Sequence, residues 1–200
     1  MPIIFLRKQK MKKALLTLFI AGILALPAQA QNLRQNLFPT LNFQNAITEI
    51  RGSGAQQIAI FADPNGCPDC TKLMQKLQNL NDITIYTFLY VPTATEKNRE
   101  LLNKAKAIWC SSDPTGVWNN LVLRRVEPPA LAKEREQTCD ISALWANQNF
   151  GALNKINRVP TSFLPNGKRL TGVLTDEGIK NNLTPQAPKK IPPTRRFNFN

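Results

Sequence analysis

The residues of this chain best suited to do chemistry are two cysteines three positions apart, Cys67 and Cys70, in the run Cys67-Pro68-Asp69-Cys70. A thiolate attacks a disulfide sulfur, and a second thiol within reach then displaces it, so such a pair can pass a disulfide to or from another molecule. The spacing suits the first turn of a helix, where unpaired backbone N–H groups and the positive end of the dipole favour the Cys67 thiolate. Pro68 fits the first helical position, which has no hydrogen bond to lose. Asp69 acts in the opposite sense: its negative charge raises the thiolate pKa and makes Cys67 a milder oxidant than neutral intervening residues would.

Other uses of such a pair fit the sequence less well. The chain has no histidine, which removes Ser-His-Asp and Cys-His nucleophile pairs, the HExxH metal helix and haem held by imidazole. The remaining cysteines, Cys110 and Cys139, are not spaced as the second half of a zinc site, and Thr71 stands where covalent haem attachment needs histidine. No metal and no cofactor are expected. A purely structural Cys67–Cys70 bridge would close a very short, strained loop. Cys110 and Cys139 read as a structural staple: joining them closes a loop of about 29 residues, worth roughly 3.5 kcal/mol if the gain is chain entropy. The alternative for them is a second redox pair that relays electrons to the first.

The elements that must position these sulfurs follow from the apolar pattern. Ile58-Ala59-Ile60-Phe61-Ala62 is an unbroken apolar run ending in Asp63-Pro64-Asn65-Gly66, which predicts a strand buried on both faces that enters a turn just before Cys67. Leu73, Met74, Leu77 and Leu80 share one helical face with Lys72 and Lys76 opposite, a helix of about four turns. Ile83 to Val91 is β-branched and aromatic until Pro92, completing a βαβ unit with parallel strands. From Thr93 to Leu153 the pattern is helical: Leu101, Ala105, Ile108 and Trp109 share a face, Asp113-Pro114 opens a second segment, and Asp140 caps a third that contains Ile141, Leu144 and Trp145. Thr161 to Leu164 and Arg169 to Leu174 flank Pro165-Asn166-Gly167, a hairpin signal, and Thr175-Asp176-Glu177 starts a last helix. Before all this, Leu37 and Leu41 lie four apart and Ile47 and Ile50 three apart. That spacing predicts one or two short helices ending near Gly52.

The expected organisation is a signal peptide over 1–30, an N-terminal arm and linker over 31–56, a catalytic domain over 57–184, and a disordered, basic, proline-rich tail over 185–200. The leader combines Arg7, Lys8, Lys10, Lys12 and Lys13 with an apolar run from Ala14 to Leu26 and Ala28-Gln29-Ala30, a layout suited to export and cleavage after Ala30. Either Met1 or Met11 could start it. Its removal leaves 21 of the 26 basic residues against all 13 acidic ones, a net of +8. The basic residues are scattered and no aromatic stripe is interleaved with them, which argues against nucleic acid as a partner.

Phe61-Ala62-Asp63-Pro64 running into Cys67-Pro68-Asp69-Cys70, Ile108-Trp109-Cys110-Ser111, Cys139-Asp140-Ile141, and Val159-Pro160-Thr161 before Pro165-Asn166-Gly167 together resemble the catalytic domain of the periplasmic disulfide isomerases DsbC and DsbG. The resemblance implies an α/β thioredoxin-like fold with a helical insertion between the βαβ unit and the C-terminal hairpin. It further implies Cys67 as attacking thiol, Cys70 as resolving thiol, Cys110 with Cys139 as the non-catalytic disulfide, and a cis Pro160 beside the active site, where the Val159 backbone would pair with a bound peptide. Those isomerases carry an N-terminal dimerisation domain, for which residues 31–56 are too few, so a monomer is expected.

The function these readings imply is that of a periplasmic reductase or isomerase of protein disulfides. Its partners would be proteins carrying disulfides or thiols and a membrane redox protein that recharges the pair. Val159 stands where the isomerases usually have Thr and the DsbA-type oxidases Val, which gives an oxidase as one alternative. A non-enzymatic chaperone or assembly factor of a conjugation or type IV secretion system is the other.

Overall fold

The computed structural model describes residues 36–91 and 98–183. The expected signal peptide, residues 31–35 of the expected arm, the expected C-terminal tail and residues 92–97 lie outside the described residues.

The stretch expected to be a helical arm behaves differently. Two 3₁₀ turns, Phe38–Thr40 and Phe43–Asn45, lead into a strand, β1 (Ile47–Arg51). Ile47 is buried whereas Ile50 is 65% exposed, so the two isoleucines face opposite ways along a strand rather than sharing a helical face. The helix expectation is corrected here, and the reason is tertiary: β1 runs antiparallel to β3 (Ile83–Leu89), with Ile47 opposite Thr87 and Arg51 opposite Ile83. The sheet thus begins inside what was expected to be linker.

The apolar run forms β2 (Gln56–Ala62), which pairs parallel with β3 from Gln56 opposite Ile83 to Ala62 opposite Leu89. Between them lies α1 (Pro68–Leu77), the crossover of the βαβ unit. It is shorter than four turns because the chain turns after Gln78, although Leu80 still packs against the core. The insertion supplies α2 (Arg99–Trp109), α3 (Pro114–Arg124), a short α4 (Lys133–Thr138) and α5 (Ser142–Leu153). Asp113 caps α3 through Gly116 N–H at 2.9 Å, as Asp113-Pro114 predicts. α4 buries no residue and so left no apolar period to read. The hairpin strands β4 (Thr161–Phe163) and β5 (Arg169–Thr171) and the final α6 (Asp176–Asn182), capped by Thr175, complete the five-stranded sheet in the order β1-β3-β2-β4-β5.

Alternation along the strands sorts the core into two layers. Ile58, Ile60 and Ala62 of β2 meet Leu73, Met74 and Leu77 of α1 and Trp118, Leu121 and Val122 of α3. Ala59 and Phe61 face the other way, into an aromatic layer with Phe88, Tyr90 and Phe163, roofed by Phe150 of α5 and by Phe38 and Phe43. Phe61 stacks on Phe88 at 4.9 Å and meets Phe163 edge-on at 5.7 Å, geometries that aromatic quadrupoles favour. Burial on both faces is what makes β2 stiff enough to aim the turn that follows it. Among the described residues no helix is long and apolar enough to cross a membrane.

Candidate active site

The central strand β2 ends at Ala62, and Asp63-Pro64-Asn65-Gly66 makes the turn. Gly66 N–H donates to the Asp63 carbonyl at 2.8 Å and Asn65 N–H to the Asp63 carboxylate at 2.8 Å, while Gly66 takes φ +64°, a conformation that costs glycine little. The turn delivers Cys67 to the N-cap of α1. There its sulfur accepts the Cys70 N–H at 3.1 Å, the place usually taken by the oxygen of Ser or Asp. Cys67 and Cys70 are joined as a disulfide with Cα atoms 5.0 Å apart. They differ in access: Cys67 is half-buried, Cys70 only 1% exposed.

The other anticipated residues gather round the pair. Pro68 is the first residue of α1 and exposed. Asp69 follows with its carboxylate 4.0 Å from the Lys72 ammonium. On the facing side the Val159–Pro160 bond is cis, and the Val159 carbonyl oxygen lies 3.9 Å from the Cys67 sulfur.

Cys110 and Cys139 are bonded to each other, Cα atoms 5.8 Å apart, Cys110 closing the C-terminal end of α2 and Cys139 that of α4. The Trp109 indole N–H donates to the Asp140 carbonyl at 3.0 Å. The Asp140 carboxylate accepts the Ser142 N–H at 2.8 Å and its hydroxyl at 2.9 Å, bonds that hold its pKa below the usual carboxylate value, the backbone bond first. Among the described residues no group of acidic or sulfur side chains is placed to hold a metal.

Sequence reasoning missed three residues, one bonded to the turn before Cys67 and two that seat the chain leading to Val159. Arg125, the residue that ends α3, adopts the left-handed conformation at φ 59° and donates from Nη1 to the Gly66 carbonyl at 2.5 Å. Tyr90, at the end of β3, donates its hydroxyl to the Ile156 carbonyl at 2.9 Å, and burial raises its pKa. Gly151 makes room for that ring: a Cβ there would come 2.2 Å from Tyr90 Cε2. Arg125 lies 59 residues from its partner and Tyr90 lies 66 from its own. No local pattern signals either.

Comparison with known proteins agrees with this geometry. The family model of the thioredoxin-like domain matches residues 43–184. A protein named probable thiol:disulfide interchange protein DsbC from Bordetella avium is 35% identical over 150 residues, 74% of this chain and 49% of the relative. One of the same name from Bordetella pertussis is 31% identical over 147 residues, 72% of this chain and 47% of that protein. The chain thus spans about half the length of the curated relatives it matches. Among solved structures, a disulfide interchange protein from Neisseria gonorrhoeae superposes with TM-score 0.60 at 26% identity, covering 72% of this chain and 99% of that one. The catalytic domain of Proteus mirabilis ScsC shares the fold, with TM-score 0.53 at 15% identity over 75% of this chain and 96% of its own.

Proposed function

This chain belongs to the thioredoxin-like domain family, and on that premise we propose that it is a periplasmic thiol-disulfide oxidoreductase that reduces or isomerises protein disulfides through Cys67 and Cys70. The observation that carries the reading is the unequal access of two sulfurs at one helix start. The reachable sulfur is the one capping the helix, and the buried one follows a turn later.

In the reduced protein Cys67 attacks as thiolate, favoured by the helix N-terminus and by the Cys70 N–H. Its sulfur bonds to one client sulfur while the client S–S bond breaks, and the departing client thiolate takes a proton from water. Cys70 then gives up its proton and attacks the Cys67 sulfur. The Cys67–Cys70 bond forms, the second client thiol leaves, and two electrons have passed from the pair to the client. In isomerisation another client thiolate displaces Cys67 instead, and the pair ends as it began. Val159 would orient the client chain beside Cys67. A dithiol protein of the membrane would restore the reduced pair, the chain acting as a monomer after export by its leader. The similarity to proteins named for disulfide interchange supports this chemistry. Cys110–Cys139 is assigned a structural part.

The test uses a Cys70→Ala variant with a scrambled disulfide protein of known native pairing. The variant is expected to accumulate a mixed disulfide through Cys67 that reductant releases. No adduct at Cys67, or the same adduct yield from a Cys67→Ala protein, would overturn the reading in favour of a binding module.

A further inference from the structure

Arg125 occupies a backbone position that suits glycine better than arginine. Its φ of 59° follows the last turn of α3, and its N–H closes that helix on the Leu121 carbonyl at 3.1 Å. Glycine is the usual residue at such a left-handed helix end, and a non-glycine residue held there is mildly strained. The side chain is not idle in that posture. Its guanidinium crosses to the carbonyl of Gly66, the residue immediately before Cys67.

Covalent geometry bounds the distance that matters. From the Gly66 oxygen through Cys67 Cα to its sulfur is at most about 5.6 Å, which places the bonded guanidinium nitrogen within about 8 Å of the sulfur. That is no more than a Debye length at physiological salt, about 8 Å, so the positive charge is felt at the sulfur. Charged residues of the segments that meet at Cys67 include Asp63 in the turn, Asp69 and Lys72 on α1, Arg158 next to Val159, and Arg125 at the end of α3. The Asp63 carboxylate is turned to Asn65 N–H, and the Lys72 ammonium, 4.0 Å from the Asp69 carboxylate, offsets part of that charge. Arg125 is the cation bonded to the backbone that carries the sulfur.

We propose that Arg125 is a positioning residue for the reaction: it fixes the peptide that presents Cys67 and lowers the pKa of the Cys67 thiol by its charge. This rests on Cys67 being the attacking sulfur. The test separates charge from hydrogen bond. In a Cys70→Ala background with the Cys110–Cys139 bridge intact, the pH dependence of Cys67 alkylation is compared for Arg125, Arg125→Lys, Arg125→Gln and Arg125→Gly. Gln keeps a donor without charge, Lys keeps the charge, and Gly suits the left-handed backbone, which provides a second uncharged protein that folds.

Both uncharged variants are expected to raise the titration midpoint by about half a unit to one unit. Alkylation below the midpoint then slows about threefold to tenfold, with Lys close to the parent. The difference is expected to shrink at about 1 M salt, where the Debye length is about 3 Å. Midpoints of the Gln and Gly variants equal to the parent's, or a Lys variant shifted as far as Gln, would overturn the proposal. A parent midpoint at or above the ordinary thiol value, about 8.5, would instead count against Cys67 as the activated sulfur, whatever Arg125 does.

Discussion

Asp69 and Lys72 set a small electrostatic contest beside the helix start. Asp69 stands two residues after Cys67, in the first turn, where a negative charge suits the helix dipole. The same charge opposes ionisation of the neighbouring thiol. Lys72 reaches its carboxylate at 4.0 Å, but both side chains are substantially exposed, at 65% and 45%, so pairing offsets only part of the effect. Replacing Asp69 by Asn is expected to lower the Cys67 titration midpoint by about half a unit. The equilibrium with glutathione then moves toward the reduced pair, since a stabilised thiolate favours the reduced form. A midpoint that does not fall, followed by alkylation across pH, would show that the helix start alone governs Cys67. This effect was legible in the sequence, because Asp69 is local to the cysteines, whereas Arg125, opposite in sign, acts through a contact that only the fold creates.

At the scale of elements, the site depends on how the end of α5 is seated against β3. The Tyr90 hydroxyl holds the buried Ile156 carbonyl, and Gly151 leaves room for the ring to pack closely against α5. Arg169 of β5 adds donors to the carbonyls of Asn154 at 2.6 Å and Lys155 at 2.9 Å. Together these fix the segment that runs into Val159. Tyr90→Phe is expected to cost about 1–2 kcal/mol, because it leaves a buried carbonyl unpaired. Gly151→Ala is expected to cost more, about 2–3 kcal/mol, since its methyl must displace a packed ring. Denaturant unfolding orders the two, and client reduction is expected to slow more in Gly151→Ala as Val159 shifts. Equal stability of Gly151→Ala and the parent would refute this seating. The contrast with what could be read in advance is physical. β2, α1, β3, the hairpin and α6 announce themselves through local period and turn chemistry. β1 does not, because its strand character comes from pairing with β3, and α4 does not, because it buries nothing.

For the molecule as a whole, the Cys110–Cys139 bridge ties down a segment with little other hold. Every residue of α4 is exposed, and the Arg135 guanidinium bonds the Cys110 carbonyl at 3.1 Å while Lys104 pairs with Glu127 at 2.8 Å. Chain entropy alone puts the bridge at roughly 3.5 kcal/mol, through restriction of the unfolded chain. That figure assumes a folded state that stays ordered when the bridge is cut. Here the exposed segment would gain freedom in the folded protein too, which cancels part of the loss. The double variant Cys110→Ala with Cys139→Ala is therefore expected to lose only about 1–2 kcal/mol, with a denaturant slope somewhat smaller than the parent's because less structure remains to unfold. Tryptic cleavage at Lys133 and Arg135 is expected to accelerate while Cys67 keeps its titration midpoint, since removing an uncharged bridge takes no charge from the neighbourhood of that sulfur. A loss near the full entropic value with unchanged cleavage would mean that the segment holds its place without the bridge, and a shifted Cys67 midpoint would join the two disulfides into one system.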